Sequence, residues 1–122
     1  MVFPDYKSVK DQAVRQVYEE LWGRSLDPDP GLTVVEIIDA ITDGQIKGMY
    51  IQGENPAMSD PDQIHARKAL AKLEHLVVQD IFMTETAWHA DVILPASAHA
   101  EKTGTFTNTN RQIQMGRPAV PL

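Results

Sequence analysis

Three short apolar runs decide the fold: Met49-Tyr50-Ile51-Gln52, Leu76-Val77-Val78-Gln79-Asp80 and Asp91-Val92-Ile93-Leu94-Pro95. Each is bounded by turn-forming residues, such as Gly53-Glu54-Asn55-Pro56 after the first and Ala96-Ser97 after the third. Runs of this length, separated by stretches with helical spacing, read as buried parallel strands. In an open parallel sheet, ligands sit in the crevice at the carboxyl ends of the strands. Here those ends carry amides, a carboxylate and hydroxyls, so the chain reads as an α/β layer that grips a ligand.

Working outward, strands are expected over 46–52, 74–80 and 91–95. Ser8 is placed to cap a helix over 9–22, whose Val14, Val17, Tyr18, Leu21 and Trp22 recur at helical spacing and predict one buried stripe. Residues 1–7 lack periodicity and read as a frayed end. Asp27-Pro28-Asp29-Pro30-Gly31 is a turn or linker, because each proline restrains itself and its predecessor. Thr33-Val34-Val35-Glu36 fits a capping box opening a helix to about Thr42, with Val34, Ile37, Ile38 and Ile41 on one face. Ser59 or Asp60 caps a further helix, and Thr84 opens a short one ending near His89. Residues 97–122 read as a Thr/Asn-rich loop with a short strand at 111–115. The element order predicts a three-layer, Rossmann-like parallel sheet with flanking helices, a single small α/β domain. Its expected division is an N-terminal helix with a Pro-rich linker (1–30) and the α/β unit (31–122).

Composition narrows the function. A 122-residue chain with 43% hydrophobic residues supports one modest core. A net charge of -6 argues against a nucleic-acid or membrane-surface partner, either of which favours a basic face. No apolar run reaches the length of a membrane span, and the N-terminus lacks the apolar core of a signal peptide. The absence of Cys fits a cytoplasmic protein and removes any disulfide framework or thiol nucleophile. His89, Asp91, His99 and Glu101 are close in sequence, but a strand separates the two histidines by roughly 15 Å and no zinc spacing appears, so no metal ligands are expected. No hydrolase elbow and no phosphate-binding glycine motif is present, and no catalytic residue is assigned.

Three longer strings are more specific than any local feature: GENPAMSD (53–60), VVQDIFMTETAWHADVILPAS (77–97) and EKTGTFTNTNRQIQ (101–114). With them the chain resembles part of the alpha subunit of molybdenum-dependent formate dehydrogenases, within the molybdopterin oxidoreductase family. The resemblance continues upstream through DPDPGLTVVEIIDAITDGQIKGMYIQ and so covers most of the chain. It implies a cofactor-binding domain excised from a longer subunit, contributing hydrogen bonds to a molybdopterin guanine dinucleotide, while the whole enzyme oxidises formate to carbon dioxide. The isolated chain is then expected to be inactive. Molybdenum and the iron–sulfur clusters would be held by other parts of the enzyme, since their cysteine ligands cannot come from this chain. The implied partners are the remaining domains of the alpha subunit and electron-transfer subunits. Another molybdopterin oxidoreductase, such as a nitrate reductase or a respiratory-complex large subunit, and a non-catalytic binding or assembly module are the alternative readings.

The resemblance assigns cofactor contacts to Asn55, Ser59, Gln79, Asp80, Ala96, Ser97 and Asn108, with Arg111 a weaker candidate. Ala96 can serve only through its backbone. Local chemistry leaves other roles open: Asn55 can shape its turn, Ser59 can cap a helix, and the loop holding Asn108 suits ordinary turn chemistry. Gln79 and Asp80 are costly to bury unless satisfied, by a ligand or by neighbouring loops.

Overall fold

The computed structural model describes residues 2–120. Met1, placed in the frayed end by its sequence, and Pro121 and Leu122, placed in the C-terminal loop, lie outside the described residues. The chain divides into two compact units, 1–37 and 38–122.

The first unit is built on helix α1 (Gln12–Trp22). Asp11, not Ser8, caps it: its carboxylate accepts from the amides of Ala13 and Val14 at 2.9 and 3.2 Å, and a negative charge there also complements the helix dipole. The Ser8 hydroxyl instead accepts from Lys10. Gly23, at φ 65°, ends the helix in the left-handed conformation that favours glycine. Residues 2–7, read as part of a frayed end, make defined contacts. Val2 bridges Ser8, the Phe3 amide donates to the Lys7 carbonyl at 2.8 Å, and the Phe3 ring stacks on Tyr18 with centroids 4.4 Å apart. The expected buried stripe on α1 does not form: Val17, Leu21 and Trp22 are 63, 71 and 50% exposed. Phe3 packs on Tyr18 and Trp22 alone of this stripe, and an amphipathic face needs a second layer to become buried.

Helix α2 (Val34–Thr42) opens with the expected capping box: the Thr33 amide and hydroxyl both donate to Glu36, at 2.7 and 2.8 Å. Ile38 and Ile41 are buried, whereas Val34 at the helix start is exposed.

In the second unit, strand β1 (Gly48–Gln52) leads into a one-turn helix α3 (Pro56–Ser59) and then helix α4 (Gln63–Leu70). Asp62 caps α4 through the His65 amide at 3.0 Å, so neither Ser59 nor Asp60 is its cap. Strand β2 (His75–Asp80) follows. The short helix expected after Thr84 is reduced to a 3₁₀ turn, Ala87–His89, before strand β3 (Val92–Pro95). The three strands form a parallel sheet in the order β1-β2-β3, flanked by helices. This is the small α/β architecture that the alternation of apolar runs and helical stretches requires.

Burial differs along the sheet. Leu76 and Val78 of the central strand are 1 and 0% exposed and form a core with Ile51, Ala57, Leu70 and Ala87. Strand β3 was expected to be buried as well, yet Val92, Ile93 and Leu94 are about two-fifths exposed, because β3 is an edge with a neighbour on one side only. Its start is tied to β2 by Asp91, whose carboxylate accepts from the Leu76 amide at 2.7 Å and whose own amide donates to the Leu76 carbonyl.

The C-terminal stretch is more regular than a loop. After a 3₁₀ turn at His99–Glu101, strands β4 (Gly104–Thr107) and β5 (Ile113–Gly116) pair as an antiparallel hairpin. The strand foreseen at 111–115 is thus shifted, and its partner β4 was not foreseen. Phe106 lies over Gly116, where an added Cβ would sit 2.5 Å from the ring. No helix among the described residues is long and apolar enough to cross a membrane.

The concentration of the core on β2 has a measurable consequence. Leu76→Ala is expected to cost about 2–5 kcal/mol in urea unfolding, whereas Val92→Ala on the open edge costs less than about 1 kcal/mol. Equal losses would show that β3 is as buried as β2.

Candidate functional site

A parallel register brings the carboxyl ends of the strands to one edge. Gln52 pairs with Gln79, and Asp80 pairs with Pro95, so each strand delivers its last polar residue or its following turn to the same place. Beyond that edge lies a cavity of about 290 Å³ lined by Gln52, Gly53, Gln79, Asp80, Ala96 and Ser97, together with Ile81 and Lys102.

Backbone bonds hold the rim. The Gly53 amide donates to the Gln79 carbonyl at 2.9 Å, extending the β1–β2 ladder by one step, and Gly53 then turns away at φ 62°. The Ala96 amide donates to the Asp80 carbonyl at 3.0 Å, extending the β2–β3 ladder in the same way.

The lining side chains are partly committed. One oxygen of Asp80 accepts from the Ile81 and Phe82 amides at 2.7 and 3.2 Å, which forms a tight turn and leaves the other oxygen for a donor. Tyr50 donates its hydroxyl to the Gln79 amide oxygen, which leaves the Gln79 NH₂ as a donor. Lys102 has no hydrogen-bond or ion-pair partner among the described residues. The cavity therefore offers a carboxylate oxygen, an amide donor, a hydroxyl and an ammonium, a set suited to a polar ligand that carries both N–H donors and an anionic group.

Of the residues singled out in the sequence, Gln79, Asp80, Ala96 and Ser97 meet in this cavity, and Asn55, Ser59 and Asn108 do not line it. The Asn55 amide is used inside the protein. Its oxygen accepts from the Thr86 hydroxyl at 2.7 Å and the Thr86 amide at 3.1 Å, and its NH₂ donates to Glu85 at 2.8 Å. Thr86 is fully buried, and its hydroxyl also accepts from the Ala57 amide at 3.0 Å. Ser59 is exposed at the last position of α3 rather than at a helix start. Asn108 lies in the hairpin connection, its amide donating to the Gln112 carbonyl, and Arg111 lies there too, at φ 67°.

Gln52, Gly53, Ile81 and Lys102 were not among the contacts assigned from the sequence. A signal for Gln52 existed: it is the last residue of its run, as Gln79 and Asp80 are of theirs. Lys102 had only the resemblance of its loop as a signal, and the 3₁₀ turn after β3 brings it to the rim.

One carboxyl group beside the site is perturbed. Glu85 is held below its ordinary value of 4.5, chiefly by the Asn55 NH₂, then by its own backbone amide, with a smaller contribution from the Arg67 charge. Among the described residues no group of three His, Cys, Asp or Glu side chains is arranged to hold a metal ion.

Comparison with known proteins follows the same lines. Residues 12–122 match the family model of molybdopterin oxidoreductases. The chain is 55% identical over 119 residues to the F420-dependent formate dehydrogenase subunit alpha of Methanocaldococcus jannaschii, covering 98% of this chain and 17% of that protein. It is 50% identical to the probable oxidoreductase YjgC of Bacillus subtilis, over 91% of this chain and 11% of that one. A third relative, the putative formate dehydrogenase YrhE of Bacillus subtilis, is 42% identical over 97% of this chain and 12% of its own length. The chain thus spans between a tenth and a fifth of the curated relatives it matches.

Two outcomes test this geometry. Thr86→Val keeps the shape but strands the Ala57 amide and part of the Asn55 oxygen's bonding, at an expected cost of about 1–3 kcal/mol, while Thr86→Ser costs less; urea unfolding of both variants checks it. Because the folded Glu85 value is lowered, the bond to Asn55 adds stability above the ordinary glutamate value and that contribution is lost as pH falls through the lowered one. A carboxyl-carbon NMR titration should give a Glu85 midpoint below 4.5 in the parent, returning towards it in Asn55→Ala.

Proposed function

The chain belongs to the molybdopterin oxidoreductase family, and from that premise we propose that it is the part of a formate dehydrogenase alpha subunit that grips the guanine dinucleotide arm of the molybdopterin cofactor. The observation that carries the reading is the cavity at the carboxyl ends of β1, β2 and β3, with its mixed set of donors, acceptors and one ammonium. The relatives named as formate dehydrogenases support the choice of enzyme.

The donor set fits such a group. A guanine edge presents N–H donors, which a carboxylate oxygen accepts; in this reading the free oxygen of Asp80 does so. The Gln79 NH₂ and the Ser97 hydroxyl donate to acceptors on the base or ribose. The Ala96 region contributes backbone groups. Lys102 faces the phosphates, where a compact ammonium suits a diffuse anion. Asn55 acts from behind the site by holding Glu85 and Thr86, and direct contacts from Ser59 and Asn108 have no support from the cavity lining.

When bound in the complete enzyme, the cofactor supplies the two-electron chemistry, through molybdenum, for oxidising formate to carbon dioxide. This chain's own residues bind and orient one arm of it. Iron–sulfur clusters, the other domains of the alpha subunit, the electron-transfer subunits and a cytoplasmic location belong to the same reading. The isolated chain is expected to lack formate oxidation, because in this reading it holds one arm of the cofactor and has no cysteine to ligate the metal.

Titration with GMP, followed by amide NMR, tests the reading. Saturable shifts are expected at Gln52, Gly53, Gln79, Asp80, Ala96 and Ser97. A partial site binds weakly, with a dissociation constant on the order of millimolar. Lys102→Met should weaken binding roughly tenfold, with guanosine itself unaffected by the change. Shifts confined to Ser59 or the hairpin connection would overturn the assignment of the cavity.

A further inference from the structure

The first unit holds a cavity that the cofactor reading does not use. It measures about 460 Å³, within the range of ligand sites, and is lined mainly by apolar groups, among them Phe3, Val9, Trp22 and Leu26, with Asp27 and Asp29 also on the lining. Phe3 and Val9 are 8 and 4% exposed and make the buried part of the wall. Trp22 is 50% exposed, and its ring is braced from within by Phe3 and Tyr18, with centroids 6.0 and 5.2 Å away. The ring is therefore braced while the residue as a whole stays half exposed.

The two aspartates are exposed and carry no cationic partner among the described residues. One oxygen of Asp27 accepts from the Asp29 amide at 2.9 Å, so the turn holds the Asp27 carboxylate, and Asp29 lines the same cavity. Prolines 28 and 30 restrict this turn further.

An apolar wall, a half-exposed tryptophan and two carboxylates without a cationic partner among the described residues match one side-chain chemistry. An arginine can lay its methylene stem and planar guanidinium along the indole and direct its N–H groups to carboxylates at the same time. A purely apolar occupant would leave the carboxylates unmatched, and a compact ammonium would not cover the ring. We propose that this cavity receives an arginine side chain, flanked by apolar residues, from a polypeptide segment outside this chain. The inference is independent of the cofactor reading, since it concerns residues of 2–31 only.

The probe is the capped tripeptide Leu-Arg-Leu, titrated into the full chain while the indole N–H signal of Trp22 is followed by NMR. Trp88→Phe identifies which of the two indole signals belongs to Trp22. A saturable shift is expected with a dissociation constant on the order of millimolar, weakening about tenfold or more in Asp27→Asn/Asp29→Asn. The asparagine pair keeps the side-chain acceptor of the turn and removes only the charge, and circular dichroism verifies that α1 persists. The tripeptide Leu-Glu-Leu should leave the signal unmoved. No saturable shift up to about 10 mM, an equal shift with the glutamate peptide, or unchanged affinity in the asparagine variant would overturn the proposal.

Discussion

Two connections of the α/β unit hang from one buried hydroxyl. Thr86 is the only fully buried polar side chain among the described residues. Its oxygen donates to Asn55 and accepts from the Ala57 amide, and so joins the turn after β1 to the loop between β2 and β3. Each such bond is worth only about 0.5–1.5 kcal/mol net, but leaving either partner unmet in a buried setting costs more than the bond supplies. The pairing thereby selects one relative arrangement of the two loops. That arrangement fixes the Asn55–Ala57 segment, just beyond Gly53, against the loop that carries Thr86.

The rim itself is set by backbone ladders. One extra hydrogen bond past each pair of strands carries the sheet geometry into the turns at Gly53 and Ala96. Gln79 and Asp80 then present polar groups from a strand whose preceding residues are the most buried in the sheet. Rigid support under a polar edge is what a binding site requires, because groups already held in place lose little freedom when a ligand arrives. Asp80 illustrates the division of labour: one oxygen shapes its own turn and the other remains for a partner.

Much apolar surface stays open. Trp88, Phe82 and Ile113 are each about three-quarters exposed, and the whole of β3 is accessible. A two-stranded hairpin such as β4–β5 has little independent stability in water, and here its support comes from local contacts, with Phe106 over Gly116 and edge-on to His99 at 4.2 Å. The chain spans 17 and 11% of two of the relatives it matches, and the core of its second unit is built on the central strand.

The sequence by itself determined the three strands, their parallel arrangement and the capping box at Thr33–Glu36, because each rests on local pattern: apolar runs of strand length, helical spacing and a threonine three residues before a glutamate. It also determined that Gln79, Asp80, Ala96 and Ser97 share an edge, since strands that run parallel must end together. Tertiary structure decided the rest. The resemblance assigns Asn55 to the cofactor while its local chemistry suits a turn, and only the distant Thr86 and Glu85 reveal that its oxygen and one of its N–H groups already have partners. The α1 stripe looked buried because periodicity reports amphipathicity, not the presence of a neighbour. Strand β4 was missed because Gly-Thr-Phe-Thr carries little apolar alternation and gains its conformation from pairing with β5. Lys102 reached the cavity through a turn whose path no local pattern encodes. Local preferences name the elements, and contacts between residues far apart in the chain decide which polar groups are already satisfied and which remain for a ligand.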